Sequence, residues 1–420
     1  MHILIAHQFF LSSKDGGGSR WNQFAKYWAQ AGHKITVLAG TVNYLTGRKL
    51  PKYRWKFFVH ERQIENLDVL RCYVSESYNK SFLGRFWAYI SFTLSSILAG
   101  LLFVDKCDVI ICTSPPLSIG LTGLILSKLR RIPMVFEVRD LWPESAIDTG
   151  ILTNKPLIRV AYWLERKCYR AANWINVLTP AFEKMLVEKK NVRPDRISMI
   201  PNGADLDIFK PGNRNNWVRE KYSLDDKFVV TYVGAHGVAN HLIQILETAE
   251  LFKDDKGVAF MLVGDGMQKQ LLKDKASEWQ LDNVIFVNSV PKDVIADYIA
   301  ASDVCTAVLK KIDTFKTVYP NKLFDYMAAA KAVIVAIDGV ARKLIEDASA
   351  GLYVEPENPS QFAQAIRKMK DDPEFRERCG ENGFKFVSKN FARSVLADKY
   401  IQILINKVEA EGKQRAVSWI

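Results

Sequence analysis

Short apolar runs alternate with amphipathic helical patterns along both halves of the chain. An apolar run at 3–6 precedes a polar loop, and apolar residues then recur at three- and four-residue steps up to Gly32. A second apolar run follows at 35–38. The runs predict buried strands, and the spacing between them predicts a helix. The order strand, loop, helix, strand is typical of a parallel βαβ unit.

The alternation continues through the rest of the chain. Further strands are predicted at 109–112, 134–138, 174–178 and 197–200 in the first half, and at 228–233, 259–263, 284–287, 304–308 and 332–335 in the second. Helices are predicted at 117–130, 155–172, 240–253, 266–279, 292–301, 321–330, 340–348, 359–370 and 395–408. Strands that alternate with helices predict doubly wound parallel sheets.

A turn-rich polar stretch separates the two halves. Residues 201–212 are rich in proline, glycine and asparagine, so we predict a hinge there. The chain is therefore expected to form two Rossmann-like α/β domains that face a central cleft. We place the first domain at 1–205, the second at 206–385, and a C-terminal helix that crosses back to the first domain at 386–420.

Length and composition exclude several classes of protein. The 420 residues suit two domains, and 48% hydrophobic with 25% charged residues is the balance of a soluble globular protein. This excludes a disordered chain, a collagen-like repeat and a small disulfide scaffold. Six cysteines without a C-x-x-C pair disfavour a zinc site or a disulfide framework. The N-terminus lacks the basic region of a secretory signal, so we expect a cytoplasmic protein.

The positive charge of the chain lies in its first half. The formal net charge is +12. Residues 1–205 hold 28 Lys and Arg against 16 Asp and Glu, whereas residues 206–420 hold 30 of each class. An excess confined to one half predicts a polyanionic or membrane-surface partner for that half alone.

Two segments of this basic half point to a membrane surface. Residues 86–104 carry no charge and are about long enough to span a bilayer. A spanning helix, a buried core helix and a helix lying in the membrane interface are all open. Residues 48–62 combine six Lys and Arg with interleaved Tyr, Trp and Phe, which suits anionic lipid headgroups. An ordinary surface loop and a nucleic-acid site are the alternatives, and we expect no nucleic acid.

The second half offers three segments that can bind an anion. The turns at 234–237 and 264–266 each follow a predicted strand, where ligands of open sheets bind. Pro320 begins a predicted helix, whose N-terminus favours an anion. Lys322 can place its ammonium against a phosphate, and Asp325 can accept both hydroxyls of a ribose. Plain structural turns and a surface ion pair between Lys322 and Asp325 are the alternatives.

A glycine loop follows the first predicted strand. Gly16, Gly17 and Gly18 precede a helix, so their backbone can approach a phosphate closely. A tight turn without a ligand is the alternative. No acid stands where a nicotinamide-binding fold places one after the second strand, which disfavours a dehydrogenase.

A charged loop follows the strand at 134–138. It contains Arg139, Asp140 and Glu144. Because this loop leaves the carboxyl end of a strand, we expect these side chains to face the cleft. A loop whose charges only pair with one another is the alternative.

As a set, these motifs resemble those of the family 4 retaining glycosyltransferases, which have the two-Rossmann GT-B fold. The resemblance covers nearly the whole chain and rests on GGGSR (16–20), AGHKITVL (31–38), IPNGADLDIFKP (200–211), LVGDG (262–266), NVIFVNSVPKDVIADYIAASDV (283–304) and NKLFDYMAAAKAVIVA (321–336). RDLWPES (139–145) resembles a bacterial subgroup, the WbuB-type sugar transferases of O-antigen and capsule assembly. The resemblance implies a nucleotide-sugar donor, often UDP-linked, on the second domain, an acceptor on the first, and no metal or other cofactor.

The chain departs from the family at two places. The family's pair of glutamates falls on Thr317 and Asp325, so one acid is kept and one is lost. The basic pair that usually clamps the diphosphate falls where this chain has no basic residue. Lys322 is the candidate replacement for that pair, and His236 is a second one.

The resemblance and the motifs together assign roles to residues of this chain. The expected catalytic residues are Lys322, Arg139 and Asp140. The expected donor-binding residues are Gly234, His236, Asn240, Gly264, Asn321, Lys322, Leu323 and Asp325. The expected acceptor-binding residues are Gly16, Gly17, Gly18, Arg20 and Glu144.

The expected function is that of a retaining glycosyltransferase in surface-polysaccharide or O-antigen (lipopolysaccharide) biosynthesis. It would move a sugar, such as an N-acetylated deoxyhexosamine, from a UDP-linked donor to a lipid-linked saccharide. The expected location is the inner face of the cytoplasmic membrane, as a peripheral protein. A nucleotide-sugar epimerase of the same fold and a non-catalytic sugar-nucleotide-binding partner are the alternatives.

Overall fold

The structure is a computed structural model that describes residues 1–11, 20–43, 47–77 and 81–417, apart from the side chains at 82 and 412–417. The chain forms two compact units. One consists of Met1–Pro201 and Leu396–Ile420, and the other of Asn202–Val395. The chain therefore leaves the first unit after Pro201 and returns to it at Leu396.

The strands follow one another along the chain with helices between most of them. They are β1 (His2–Ala6), β2 (Lys34–Gly40), β3 (Phe58–Ile64), β4 (Leu67–Cys72), β5 (Val109–Ser114), β6 (Met134–Val138), β7 (Trp174–Val177), β8 (Ile197–Met199), β9 (Phe228–Val233), β10 (Val258–Val263), β11 (Val284–Val287), β12 (Val304–Val308), β13 (Ala332–Ala336) and β14 (Gly351–Tyr353).

The helices are α1 (Arg20–Gln30), α2 (Phe82–Leu102), α3 (Ile119–Arg130), α4 (Glu144–Asp148), α5 (Lys155–Ala171), α6 (Pro180–Lys190), α7 (Trp217–Lys221), α8 (Ile243–Glu250), α9 (Lys269–Glu278), α10 (Lys292–Ala300), α11 (Asn321–Ala328), α12 (Val340–Asp347), α13 (Pro359–Asp371), α14 (Pro373–Asn390) and α15 (Arg393–Val417). Short 3₁₀ helices lie at Pro51–Tyr53, Pro194–Arg196, Val238–Asn240 and Asp313–Thr317.

The first unit is built on an eight-stranded sheet in the order β3-β4-β2-β1-β5-β6-β7-β8. All neighbouring strands are parallel except β3 and β4. Every residue of β1, β5 and β6 is buried, because helices cover both faces of a parallel sheet. This burial explains why these strands appear in the sequence as continuous apolar runs.

Helix α15 completes the core of the first unit. Tyr400 and Leu404 are fully buried and pack with Trp21 and Trp28 of α1. The Trp28 indole N–H donates to the carbonyl oxygen of Ala397 at 2.9 Å. Helix α15 is therefore part of the first unit's core, although the whole second unit separates it in sequence from the rest of the first unit.

The second unit is built on a six-stranded parallel sheet in the order β11-β10-β9-β12-β13-β14. The carboxyl ends of β9 and β10, two neighbouring central strands, run in register, with Val233 opposite Val263. The turns that follow these two strands therefore start side by side. Helix α11 packs beneath them, with Phe324 and Tyr326 fully buried.

The predicted fold class is confirmed, since each unit is an α/β layer structure with a doubly wound sheet and every predicted strand is present. The sequence did not predict the antiparallel hairpin of β3 and β4, or β14 at the edge of the second sheet. β3 overlaps the end of the 48–62 segment, in which no strand was predicted. As an edge strand it keeps charged side chains such as Glu61 and Arg62, so it lacks an apolar run.

Helix α2 has one buried and one exposed apolar face. It is long and apolar enough to cross a membrane by length and composition alone, and 44% of its most apolar window is buried. Ser91, Phe92, Ser95 and Ala99 pack into the unit. The exposed residues are Leu83, Phe86, Trp87, Leu94, Leu98, Leu101 and Leu102, followed by Phe103. The structure therefore excludes the fully buried core helix that the sequence left open.

We expect Leu404→Ala to destabilise the first unit by about 2–5 kcal/mol, because it leaves a cavity among tightly packed rings. Urea unfolding followed by tryptophan fluorescence measures this change. The exposed neighbour Gln402 provides the control, since Gln402→Ala is expected to change stability by no more than about 0.5 kcal/mol. Equal effects of the two substitutions would show that α15 does not contribute to the core.

Candidate functional site

Two glycine turns meet at the carboxyl edge of the second sheet. The Gly234 N–H donates to the carbonyl oxygen of Val263 at 2.9 Å, and the Gly264 N–H donates to that of Val287 at 3.1 Å. Gly264 has φ +144, and a Cβ there would lie 1.9 Å from the carbonyl oxygen of Gly234. A side chain at 264 would therefore force the two turns apart. The glycines therefore allow the backbones of the two turns to approach each other closely. The Gly234 N–H is bonded to Val263, so it is not available to a ligand.

Lys322 places its ammonium against the first of these turns. Its Nζ is out of contact with water and has no hydrogen-bond partner. The atom lies 3.6 Å from the centroid of the Tyr232 ring, and 2.8 Å from the point where a Cβ on Gly234 would stand. Burial lowers the pKa of Lys322 well below its usual value. Such an ammonium gains a great deal from an anionic ligand.

His236 lies between the two turns as an uncharged ring. It is fully buried, and neither ring nitrogen has a hydrogen-bond partner. Burial and then the charge of Lys269 lower the pKa of His236 to about 4. At neutral pH the ring therefore carries no charge. In this state His236 offers no second cation in place of the family's basic pair, and its two nitrogens are left as hydrogen-bonding groups.

Three residues that the sequence analysis missed hold these turns in place. The Tyr232 hydroxyl donates to the carbonyl oxygen of Ala235 at 2.9 Å, and the Tyr326 hydroxyl accepts the N–H of Val233 at 2.8 Å. Lys269 Nζ donates to the carbonyl oxygen of Gly264 at 2.8 Å. The three side chains come from a strand and two helices, so no local motif in the sequence marks them as one group.

Asp325 lies one helical turn beyond Lys322, in a cluster of charges. Its Oδ1 atom is out of contact with water and accepts no hydrogen bond. Burial raises the pKa of Asp325 to about 6, while Arg393 and Lys292 oppose that rise. Lys292 is held at 2.8 Å by Asp205. Lys322 and Asp325 form no ion pair in the structure, so the alternative of a surface pair is wrong.

The other residues that were expected to bind the donor differ in how accessible their side chains are. Asn321 is exposed, and its Oδ1 accepts from Asn202 at 2.7 Å. The side chain of Asn240 stands beside Gly237 in the first turn. Leu323 is fully buried in the core, and its N–H donates to the carbonyl oxygen of Pro320 at 3.0 Å. The structure therefore gives the Leu323 side chain a packing role, and its part in donor binding stays a prediction.

The carboxyl edge of the first sheet carries the charged loop. Asp140 accepts from the Ser145 hydroxyl at 2.8 Å, and burial raises its pKa. Nearby, the ring of His7 is fully buried and bonded to the Thr113 hydroxyl at 2.7 Å. Burial and the charge of Arg139 lower the pKa of His7 well below its usual value. This edge thus combines a guanidinium, a carboxylate and a neutral imidazole.

The remaining expected acceptor residues are divided between the core and the surface. Arg20 is buried in an ion pair with Glu137 of β6 and lies against the ring of Phe24. This favours a structural role for Arg20 over acceptor binding. Glu144 forms an ion pair with Lys190 at the end of α6. Residues 16–18, the glycine loop, lie outside the described residues.

In the described part of the chain, no three His, Cys, Asp or Glu side chains lie close enough to hold a metal ion together. The six cysteines, all within the described residues, are buried and unpaired. Burial raises the pKa of Cys168 and of Cys305 to about 12, so both are protonated thiols. The groups at the two sheet edges that can contact a ligand are therefore amine, carboxylate, imidazole and guanidinium groups, and not thiolates.

Family models match both halves of the chain. Residues 15–203 match the family described as "Glycosyl transferase 4-like domain", and residues 213–386 match "Glycosyl transferases group 1". The first matched segment contains the charged loop after β6, and the second contains both glycine turns, Lys322 and Asp325.

Individual relatives are distant. The alpha-D-kanosaminyltransferase of Streptomyces kanamyceticus is 24% identical, over 66% of this chain and 71% of that protein. The UDP-Gal:alpha-D-GlcNAc-diphosphoundecaprenol alpha-1,3-galactosyltransferase of Escherichia coli is 23% identical, over 69% of this chain and 74% of that protein. Among solved structures, Anabaena Alr3699/HepE in complex with UDP-glucose has a TM-score of 0.71 at 18% identity, over 97% of this chain and all (100%) of that one.

We expect Lys322→Met to weaken the binding of UDP roughly 10- to 100-fold, because it removes a charge-assisted contact to a diphosphate. Isothermal titration calorimetry measures the affinity. Because burial lowers the pKa of Lys322, wild-type affinity should fall with rising pH as the ammonium loses its proton, and the fall should begin at a lower pH than it would for an exposed lysine. Lys322→Met should lack this fall. Parallel pH profiles for the two proteins would show that Lys322 does not contact the diphosphate.

Proposed function

This chain is a glycosyltransferase of the GT-B fold, and we propose that it transfers a sugar from a UDP-linked nucleotide sugar to a lipid-linked saccharide at a membrane surface. We further propose that it retains the anomeric configuration of the sugar and acts without a metal. The subgroup resemblance of the 139–145 segment supports a role in surface-polysaccharide or O-antigen assembly, with an N-acetylated deoxyhexosamine as one candidate sugar.

The observation that carries the donor half of this proposal is the unpartnered ammonium of Lys322. A buried cation without a counter-ion destabilises the free protein, and a diphosphate would supply that counter-ion. The site lies at the carboxyl edge of a parallel sheet, where open α/β sheets bind nucleotides. Asp325, with its free Oδ1, would accept hydroxyls of the ribose. The structural likeness to a UDP-glucose complex supports the choice of nucleotide.

The proposed mechanism stabilises the leaving group. When the bond between the anomeric carbon and the diphosphate oxygen breaks, negative charge grows on that oxygen, and Lys322 Nζ stabilises it. The acceptor hydroxyl attacks the anomeric carbon from the same side, and its proton passes to the departing phosphate oxygen. This route retains the configuration and needs no protein nucleophile. Arg139 and Asp140 would bind the acceptor on the first unit.

The exposed face of α2 supports a membrane-bound acceptor. Its apolar residues recur along the whole helix, and Leu94 and Leu102 are 59% and 62% exposed. Exposed apolar patches of this length mark interaction surfaces. The other face of α2 packs on β2, β4 and α3 of its own unit, so the helix suits lying along a bilayer surface better than crossing it.

Basic and aromatic side chains extend this face toward the 48–62 segment. The Phe103 ring at the end of α2 contacts the Phe58 ring of β3, with centroids 5.1 Å apart. Trp55 in the same segment is 92% exposed. Lys52, Arg54 and Lys56 are exposed around it. An apolar face beside cations matches an anionic bilayer, where each charge near the surface contributes about 1 kcal/mol. The name of the Escherichia coli relative, which includes a diphosphoundecaprenol acceptor, also supports a lipid carrier.

Transfer is tested with purified protein, a panel of UDP-sugars, and a lipid-diphosphate saccharide in anionic vesicles. We expect a glycosylated lipid with retained configuration, established by NMR of the product. Lys322→Met should lower kcat roughly 10²- to 10³-fold. An epimerised sugar nucleotide formed without acceptor would identify an epimerase instead. Tight donor binding without turnover would identify a non-catalytic binding partner.

Membrane binding is tested by flotation with vesicles that contain anionic phospholipid. We expect the wild-type protein to float at low salt, and the double variant Leu94→Glu/Leu98→Glu to remain largely in solution, because charges on α2 oppose insertion. Met267→Glu/Leu271→Glu changes two exposed apolar residues of the second unit and is the matched control. Flotation of both variants like the wild type would exclude α2 as the docking face.

A further inference from the structure

A cavity in the first unit brings Glu144 and Lys190 together with residues that have no role so far. It has a volume of about 580 Å³ and is bordered by α4, α5 and the end of α6. Glu144, Tyr162, Glu165 and Lys190 line it. It adjoins the charged loop, because Ser145, the residue after Glu144, donates to Asp140. A cavity of this size can hold a ligand as large as one or two sugar rings.

Two acids and one cation form the ion-paired group of this cavity. Lys190 Nζ forms ion pairs with both carboxylates, with Glu144 and, at 2.9 Å, with Glu165. One ammonium is thus shared by two acids. Glu165 is only 2% exposed, yet its Oε1 accepts no hydrogen bond, and neither does Oε2 of Glu144. The Tyr169 hydroxyl interacts with Glu165 and the Tyr162 hydroxyl with Glu144, so the two acids share one ammonium and two phenols, and a ligand that donates hydrogen bonds would add to these partners.

The surrounding charges limit which ligand this is. Arg159, Arg166 and Lys189 also line the cavity and would repel a cationic ligand. These three cations are exposed, whereas the less exposed charges are two carboxylates and the single ammonium of Lys190, which together would repel an anionic ligand. A neutral ligand rich in hydroxyl groups suits both the carboxylates and the cations, because a hydroxyl donates to a carboxylate and accepts from an ammonium or guanidinium. The ring of Tyr162, which lies 4.7 Å from Lys190 Nζ, offers an apolar face to a sugar ring.

We propose that this cavity binds a sugar residue of the acceptor, with its hydroxyls donating to Glu144 and Glu165 and accepting from Lys190. The identification of the sugar as part of the acceptor rests on the proposed function. The cavity would bind a part of the saccharide other than the hydroxyl that reacts. It would select acceptors by their sugar residue, in addition to the lipid.

Ligand-observed NMR titration with soluble saccharides, in the absence of any nucleotide, tests this proposal. The probes are glucose, galactose, N-acetylglucosamine and a neutral disaccharide, with glucosamine and inorganic phosphate as charged comparisons. We expect millimolar binding of at least one neutral saccharide and weaker binding of both charged probes. Glu165→Gln should weaken saccharide binding about tenfold, since a charged acceptor is lost. Tyr162→Phe, which keeps the ring, should weaken it less.

Glu188→Gln provides the matched control, because Glu188 is exposed on α6 and outside the cavity. It should bind saccharide like the wild type. Lys322→Met should also do so, which separates this site from the donor site and from a UDP-sugar's own sugar. The proposal is overturned if no neutral saccharide binds, if glucosamine or phosphate binds best, or if both cavity variants bind as the wild type does. An active transferase with any of those results would leave the proposed function intact.

Discussion

A buried ammonium without a counter-ion is the feature on which the chemistry of the second unit depends. Lys322 Nζ is held between the Tyr232 ring and the backbone of Gly234, where its attraction to the ring compensates only part of the lost hydration. In the free protein, burial therefore lowers the pKa of this amine well below its usual value. A phosphate brought to that point would interact with a positioned charge in a medium of low dielectric, where electrostatic attraction is strong.

The arrangement around this ammonium follows from parallel strands and from glycine. Parallel strands bring their carboxyl ends to one edge, so turns that are 30 residues apart in sequence, at Gly234 and Gly264, touch each other. Only residues without a Cβ allow backbones to approach so closely. Tyr326 and Lys269 then fix the turns by bonding to their backbone. The precision of the site depends on these supporting contacts as much as on the ligand-facing groups.

The first unit separates its charges from its apolar surface. Its exposed apolar residues are concentrated along α2 and the adjoining 48–62 segment, while the buried acid Glu137 follows the rule of one cation for each acid, through Arg20. The Glu144, Glu165 and Lys190 group departs from this rule, because it has one cation for two acids. Buried polar groups in native proteins nearly always have partners, so unpartnered ones indicate where a ligand completes the structure.

The sequence by itself determined the fold class, because buried parallel strands are continuous apolar runs and their helices are amphipathic. It also located the glycine turns and Lys322, since a glycine after a strand and a lysine in the first turn of a helix are local signals. It did not predict β3, whose exposed edge position leaves no apolar run. Only the tertiary structure decided that Leu323 and Arg20 are buried, that His236 is uncharged, and that Glu144 shares Lys190 with Glu165. These outcomes depend on neighbours that are distant in the chain, and burial by those neighbours, rather than residue type, sets the charge and availability of each group.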